Sequence, residues 1–231
     1  MTTGARRTVA RRRSVTKGRV RVAQEERSER SRAQILDAAL RLFSSQGYRG
    51  TSIREIALAA KVSTGNVYHQ FPDKESLFRV LLERYFEILA SPDHPLIHAL
   101  AAGAFPADLE ALARATREGV ERDRAYVALI YVDVVEFGGQ HIRRYYTEMA
   151  DRFTRFLDSH KGSVRLDLLR REVPPTTAVM LASRFFLHYF AVEHVFGVPN
   201  HFGKDTDTVV REAVDILAHG MLRPEALGER G

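Results

Sequence analysis

A chain of 231 residues with 45% hydrophobic side chains can hold a small module plus one domain of ordinary size, with a real core. It contains no cysteine, which excludes disulfides and thiolate metal sites and fits a reducing cytoplasm. No apolar run approaches a membrane span, since even residues 128–137 are broken by Asp133 and Glu136.

The net charge of +6 is unevenly placed: residues 1–21 carry eight Arg and Lys and no acid, so +8 sits there and the remainder sums to −2. A basic arm on a nearly neutral body is the footprint of a chain whose end touches phosphate. Residues 1–23 have few apolar side chains and no period, so they read as disordered in isolation, within an arm spanning 1–28. The first residues also lack the apolar core of a signal peptide, and a soluble cytoplasmic protein is the expectation.

An amphipathic helix is predicted next, from Ser28 to Gln46. Its apolar positions are Ile35, Leu36, Ala39, Leu40, Leu42 and Phe43, with Gly47 as a left-handed stop. Residues 51–71, TSIREIALAAKVSTGNVYHQF, then read as two short helices around a tight turn. Ser52 and Glu55 form the S/T-x-x-E pattern of a capping box, and Ile53, Ile56, Ala57 and Ala60 recur at helical spacing. Lys61, Val62 and Ser63 interrupt, Ser63 can cap the second helix, and Val67 and Phe71 define its inner face. Thr64, Gly65, Asn66, Tyr68 and His69 point mostly outward. Small and hydrogen-bonding residues there suit a major groove, where base edges offer donors, acceptors and thymine methyls. A fourth helix starts at Asp73 as N-cap, carries Leu77, Phe78, Leu81, Leu82 and Tyr85, and is stopped near Pro92 and Pro95.

A two-helix corner alone is a weak signal, but its flanks sharpen it. ILDAALRLFSSQGY, TSIREIA, GNVYHQF and DKESLF follow one another without gaps, and residues 29–89 resemble the DNA-binding domain of the TetR family of bacterial transcriptional regulators. The resemblance covers about a quarter of the chain. It implies that Thr51, Ser52, Arg54, Ser63, Thr64, Gly65, Asn66, Tyr68, His69 and Lys74 lie near DNA. Tyr68 and Lys74 would then be phosphate contacts, and Thr64, Gly65 and Asn66 readers of base edges.

Residues 90–231 read as a second, helical domain. His94 and His98 are four apart, but Pro95 spoils a shared helical face; solvent-exposed histidines, not a metal pair, are expected. Pro106 is predicted at the first position of an amphipathic helix running through DLEALARATREGVER. AYVALIYVDVVEF is apolar on nearly every side and reads as a central, buried helix. HIRRYYTEMADRFTRFLDS reads as one long amphipathic helix ended by Gly162. Pro174 and Pro175 open another through Phe196, and DTDTVVREAVDILAHGML closes the domain. No segment shows strand alternation. The fold class is therefore all-α, about nine helices, with an N-terminal three-helix helix-turn-helix domain (the motif itself at 52–71) and a larger helical ligand-binding and dimerisation domain.

Nothing in the sequence matches a phosphate-binding P-loop, G-x-G-x-x-G, H-E-x-x-H or G-x-S-x-G, so no enzyme, no metal and no cofactor is expected. A ligand pocket is expected among Tyr126, Tyr131, Asp133, Phe137, Tyr145, Phe185, His188 and Tyr189, aromatic walls with a few polar groups. Asp133 has three readings: a salt bridge to Arg143, Arg144 or Arg184, a protonated acid in a hydrogen bond, or a pocket carboxylate meeting a cationic or donor-bearing effector. Val179, Phe186 and Phe190 on one helix and Val210, Val214, Leu217 and Met221 on the next are expected to form a four-helix dimer interface.

The implied function is a homodimeric repressor that binds a roughly palindromic double-stranded operator and is released by a small hydrophobic effector. An activator, or a regulator answering to a protein partner, is the alternative; a helical enzyme or interaction module is the remote one.

Overall fold

The computed structural model describes residues 4–227, and among them the side chains of Val22, of residues 24–225 and of Leu227. Packing divides the chain into two units, Met1–Phe78 and Arg79–Gly231. The division falls inside a helix, at a point well before the proline-marked segment around residues 91–95. Among the described residues the structure is helical, with one isolated bridge between Leu169 and Leu222.

In the first unit, α1 (Gly4–Gln46), α2 (Ile53–Ala59) and α3 (Thr64–Gln70) lead into α4 (Lys74–Ala90). The segment read as disordered instead continues α1 back to Gly4. It contains no proline, and its arginines and alanines are good helix formers, so absence of a hydrophobic period does not forbid a helix there. The charged side chains of residues 6–21 lie outside the described ones, and so does the expected phosphate contact by them.

Gly47 closes α1 with φ 80°, its N–H donating to Phe43 O at 3.1 Å. Ile35, Ala38, Ala39, Phe43, Ile56, Ala57, Ala60, Val67, Phe71, Leu77 and Phe78 are all buried. Phe43, Tyr48 and Phe78 form a mutual aromatic trio with centroids 5.5 to 5.6 Å apart. Asp73 caps α4 as expected, Oδ1 accepting from Ser76 N at 2.6 Å.

The second unit holds α5 (Pro95–Ala101), α6 (Ala104–Ala107), α7 (Leu109–Arg122), α8 (Arg124–Phe137), α9 (Arg143–Thr147), α10 (Met149–Ser159), α11 (Pro175–His194), α12 (Thr206–Met221) and α13 (Pro224–Leu227). Thirteen α-helical segments are present among the described residues; without the short turns α6, α9 and α13 ten remain, in line with the nine or so expected. Pro106 lies inside the short α6; α7 is started by Asp108, whose Oδ1 accepts from Ala111 N at 2.8 Å. The long helix expected after residue 140 is two, α9 and α10. They meet at Glu148, whose carboxylate accepts from Arg144 at 2.9 Å and Arg152 at 3.0 Å.

α7 and α11 form the centre of this unit, flanked by α5, α10 and α12. α8 is not the buried core helix its composition suggested. Val127, Leu129 and Asp133 are buried, but Val135 is 81% exposed. An all-round apolar helix can be half-covered when one of its faces is left to something outside the domain.

Candidate functional site

Both helices of the two-helix corner begin on a serine. Ser52 Oγ accepts from Glu55 N at 3.3 Å, and Glu55 Oε2 accepts from Ser52 N at 2.7 Å, which completes the capping box. These bonds to Ser52 hold the Glu55 carboxyl below its ordinary value. Ser63 Oγ accepts from Asn66 N at 3.1 Å and starts α3. Between the two helices the backbone turns through Lys61 at φ 57°. Lys61 N donates to Leu58 O at 3.1 Å and Val62 N to Ala57 O at 3.0 Å, the paired bonds of a Schellman stop.

α3 is then held from α1 by side chains. Ser31 Oγ donates to Asn66 Oδ1 at 2.8 Å, Arg32 Nη1 to Gln70 O at 3.2 Å, and Gln70 Nε2 to Ser28 Oγ at 2.8 Å. The Arg32 guanidinium also lies 4.3 Å from the Phe71 ring centroid. Sequence reasoning missed these clamps. Their signal is the spacing of 28, 31 and 32, which puts three polar side chains on one face of α1.

The expected DNA-facing residues divide accordingly. Thr64, Gly65, Tyr68 and His69 are exposed along α3, and Ser52, Arg54 and Ser63 are exposed at the helix starts and along α2. Thr51 is corrected: its side chain is 1% exposed, donating to Gly47 O at 2.8 Å, so it pins the α1–α2 loop and presents no hydroxyl outward. Asn66 is half-buried against Ser31. Lys74 donates to Tyr48 O and Thr51 O, both at 2.8 Å, and sits 4.0 Å from the Tyr48 ring centroid. Two of its three N–H groups are therefore committed inside the protein.

Gly65 has no internal reason to be glycine. A Cβ placed there meets only Ser63 Oγ, at 3.8 Å, an ordinary contact. Glycine inside a helix costs about 0.8–1 kcal/mol relative to alanine. A position that carries this cost with open space around it fits a surface that must come close to something outside the chain.

In the second unit, α4, α5 and α7–α11 enclose an apolar cavity. Its walls include Leu89, Leu96, Val120, Ile130, Met149, Phe153 and Leu187, with His94, Tyr145, Ser183 and Arg184 as polar groups. The inner space is about 80 Å³, and an outer space of about 180 Å³ shares Leu89, Tyr145, Met149 and Phe153 with it. Burial pushes the Tyr145 and Tyr146 phenols up, so both are neutral donors at ordinary pH.

His94 is the group in this cavity that the sequence misplaced. It is buried, not solvent-exposed. Its Nδ1 accepts from Leu96 N at 3.2 Å as the cap of α5, so the ring proton sits on Nε2, 3.4 Å from Asp123 Oδ2. Asp123 in turn takes two bonds from Arg122, at 3.1 and 3.0 Å. Burial opposes ionisation of Asp123, but the bonds from His94 and Arg122 outweigh it and hold the carboxyl below its ordinary value. Gly119 is the contact that lets this ring lie on α7, since a Cβ there would be 3.0 Å from His94 Cε1.

Of the expected pocket residues, Tyr145 lines this cavity. Tyr131 and His188 line a neighbouring one together with Tyr85, Ile130 and Arg184. Tyr126 stacks on Tyr85 at 5.5 Å, and Phe137 is 4.6 Å from the His141 ring. Phe185 and Tyr189 face Phe202, with centroids 6.5 and 5.4 Å away. Asp133 is corrected: it is fully buried and lines neither space. It bonds His141 Nδ1 at 2.5 Å and accepts from Ile142 N at 3.2 Å, so none of Arg143, Arg144 and Arg184 is its partner. Its role is to fix the turn that leaves α8.

The expected dimer residues are largely enclosed. Val179, Phe186, Phe190, Val214 and Met221 are buried in the unit's own core, with Val210 and Leu217 packed on it. Val210 and Leu217 are half-buried, and the other five residues of these stripes face inward. The apolar side chains these helices leave outside are Leu181 and Ile216, with Phe202 on the loop between them. Among the described residues no group of three or more His, Cys, Asp or Glu could hold a metal ion, and no helix is long and apolar enough to cross a membrane.

Residues 35–81 match the family described as bacterial regulatory proteins, tetR family. Over 195 residues the chain is 29% identical to the HTH-type transcriptional repressor KstR2 of Rhodococcus jostii, covering 84% of this chain and 92% of that one. A TetR-family transcriptional regulator from Mesorhizobium loti superposes with a TM-score of 0.56 at 25% identity, covering 85% of this chain and 99% of the other. The transcriptional regulator SCO4942 from Streptomyces coelicolor shares the fold with a TM-score of 0.58 at 24% identity, covering 84% and 99%.

Proposed function

Because the chain belongs to the TetR family of bacterial regulatory proteins and is a DNA-binding transcriptional repressor, we propose that α3 is its reading helix, with Thr64, Gly65, Tyr68 and His69 against the DNA. Gly65 carries this reading: it is an exposed glycine inside α3 whose identity the fold itself does not require. Thr64 and Gly65 form the close approach to base edges, and the Tyr68 hydroxyl reaches phosphate. Asn66 and Lys74 serve first as internal supports, Asn66 tied to α1 and Lys74 to the α1–α2 loop. Ser52, Ser63 and Arg54 complete the margin of the contact.

Family members bind DNA as dimers and answer to small molecules. For this chain, a homodimer forms through Leu181, Phe202 and Ile216, presents two α3 helices to a roughly palindromic site, and acts in the cytoplasm. An effector enters the cavity beside His94 and Ser183 and favours the conformation that fits the operator less well. Release requires such a difference in affinity between two states.

The test is Gly65→Leu in the full chain, on an operator found by genome-wide mapping of bound sites. It folds with a melting temperature equal to or above that of the wild type, and operator affinity falls by at least about a hundredfold, since one blocked close approach displaces several contacts. Unchanged affinity would remove α3 from the interface.

A further inference from the structure

We propose that the effector is an amphipathic monoanion: an apolar body lies between α4, α7 and α10, and one carboxylate end meets Arg184 on α11. The inference rests on the effector reading above and adds the chemistry of the ligand. Among the described residues, no Asp or Glu lines the inner space, the outer space or the neighbouring cavity; the charged residues there are Arg184 and Arg152. The buried acids nearby are turned away, Asp123 to His94 and Arg122, Asp133 to His141.

The two arginines differ. Arg152 is held by Glu148 at 3.0 Å, whereas Arg184 has no carboxylate partner among the described residues and lies over the Tyr146 ring, 5.2 Å from its centroid. Arg184 is exposed, so its guanidinium sits at the solvent-facing edge of the largely apolar space; steadied there by an aromatic face, it presents paired N–H groups in the geometry a carboxylate accepts. A cationic ligand would meet this charge with no acid to balance it, and a neutral one would leave it idle.

Ser183 adds a second polar contact deeper in. Its residue is buried, its Oγ has no hydrogen-bond partner among the described residues, and it lines the inner space next to Arg184 in sequence. A hydroxyl or carbonyl on the ligand body would satisfy it. The enclosed volumes suit a small body, on the order of ten non-hydrogen atoms, below the range for drug-sized ligands.

Calorimetry on the full-length protein with octanoate, octanol and octylamine separates the ends on one common body. Octanoate binds at least about tenfold more tightly than either of the others, as a charge-assisted bidentate pair requires. Arg184→Leu erases that preference while leaving octanol affinity unchanged, and Arg184→Lys keeps part of it. Equal affinities, a preference for octylamine, no octanoate binding at millimolar concentration, or a preference that survives Arg184→Leu each overturn the proposal. DNA release is read separately on the operator complex. Selective octanoate binding that leaves the complex intact upholds the ligand class and overturns the effector reading.

Discussion

The two units use their polar side chains in different ways. In the first, short helices are started, stopped and clamped by hydroxyls, amides and one lysine within a few residues or one helix of their targets: Ser52 and Ser63 at the helix starts, Ser31 on Asn66, Lys74 on two loop carbonyls. What remains outward on α3 is a short row with nothing to do inside the protein. In the second unit, apolar helices pack on one another, and the polar groups that matter are a few buried ones, Asp123, Asp133, His94 and Ser183, scattered over distant parts of the sequence. Local polar patterning makes a surface legible; apolar packing hides which side of a helix is the surface.

That contrast is broken most severely at α11. Phe186→Glu places a carboxylate in the closed core and should cost at least about 4 kcal/mol, enough to unfold the second unit. Ile216→Glu, at a position 71% exposed, should leave melting within about 0.5 kcal/mol of wild type yet give monomers in sedimentation at micromolar concentration. A folded monomer from Phe186→Glu would return the interface to the residues that sequence periodicity favours.

A smaller effect sharpens the role of the buried acid. Asp133→Ala leaves His141 and the Ile142 N–H without their acceptor, a loss of about 1–3 kcal/mol on thermal or chemical unfolding. Octanoate affinity should not change. A drop in affinity with unaltered stability would place Asp133 at the ligand instead of at the α8 turn.

How much was legible follows the same division. The capping box, the Gly47 stop, the Ser63 cap and the outward row on α3 could all be read from spacings of two to four residues, because the bonds that make them span that distance. Thr51 and Lys74 were assigned outward because a resemblance gives a residue's neighbourhood and not its rotamer. In the second unit the helix positions were largely right and their sidedness was not. α11 is apolar on more than one face, so two stripes compete and periodicity cannot say which one the core takes. Partners such as Asp123 with His94, or Asp133 with His141, join a helix end to a turn, where no fixed spacing exists to be recognised.

Acid should expose one of these partnerships. The Asp123 carboxyl is held below its ordinary value in the fold, so its contribution to stability is fully present above the unfolded-state pKa of about 3.9 and is lost as pH falls through the lower folded value. Denaturant midpoints measured from roughly pH 5 to pH 2 should therefore fall more steeply for wild type than for Asp123→Asn. Parallel curves would mean that His94 and Arg122 do not favour the charged form.

The smallest effect compares one turn from each unit. Lys61 and Asn200 are the described non-glycine residues with left-handed backbone, at φ 57° and 55°. Such a conformation costs an ordinary side chain roughly 1 kcal/mol or more, and asparagine less, because its short amide tolerates it. At Lys61 the turn is nonetheless fixed by the bonds from Lys61 N to Leu58 O and Val62 N to Ala57 O, both of which a glycine keeps. Lys61→Gly should therefore stabilise the first unit by about 0.5 kcal/mol, after the greater freedom of glycine in the unfolded chain is subtracted. Asn200→Gly should gain nothing measurable. Lys61 is also exposed at the corner between α2 and α3. If its ammonium neutralises one phosphate, the same variant weakens operator binding and flattens the salt dependence by about 0.9 slope units. Lys61→Asn then separates the two terms: it keeps much of the relief in the turn and, like glycine, lacks the charge. A gain in stability with an unchanged salt slope would confine Lys61 to the turn. No gain from either variant would show that the two-helix corner bears no strain at that position.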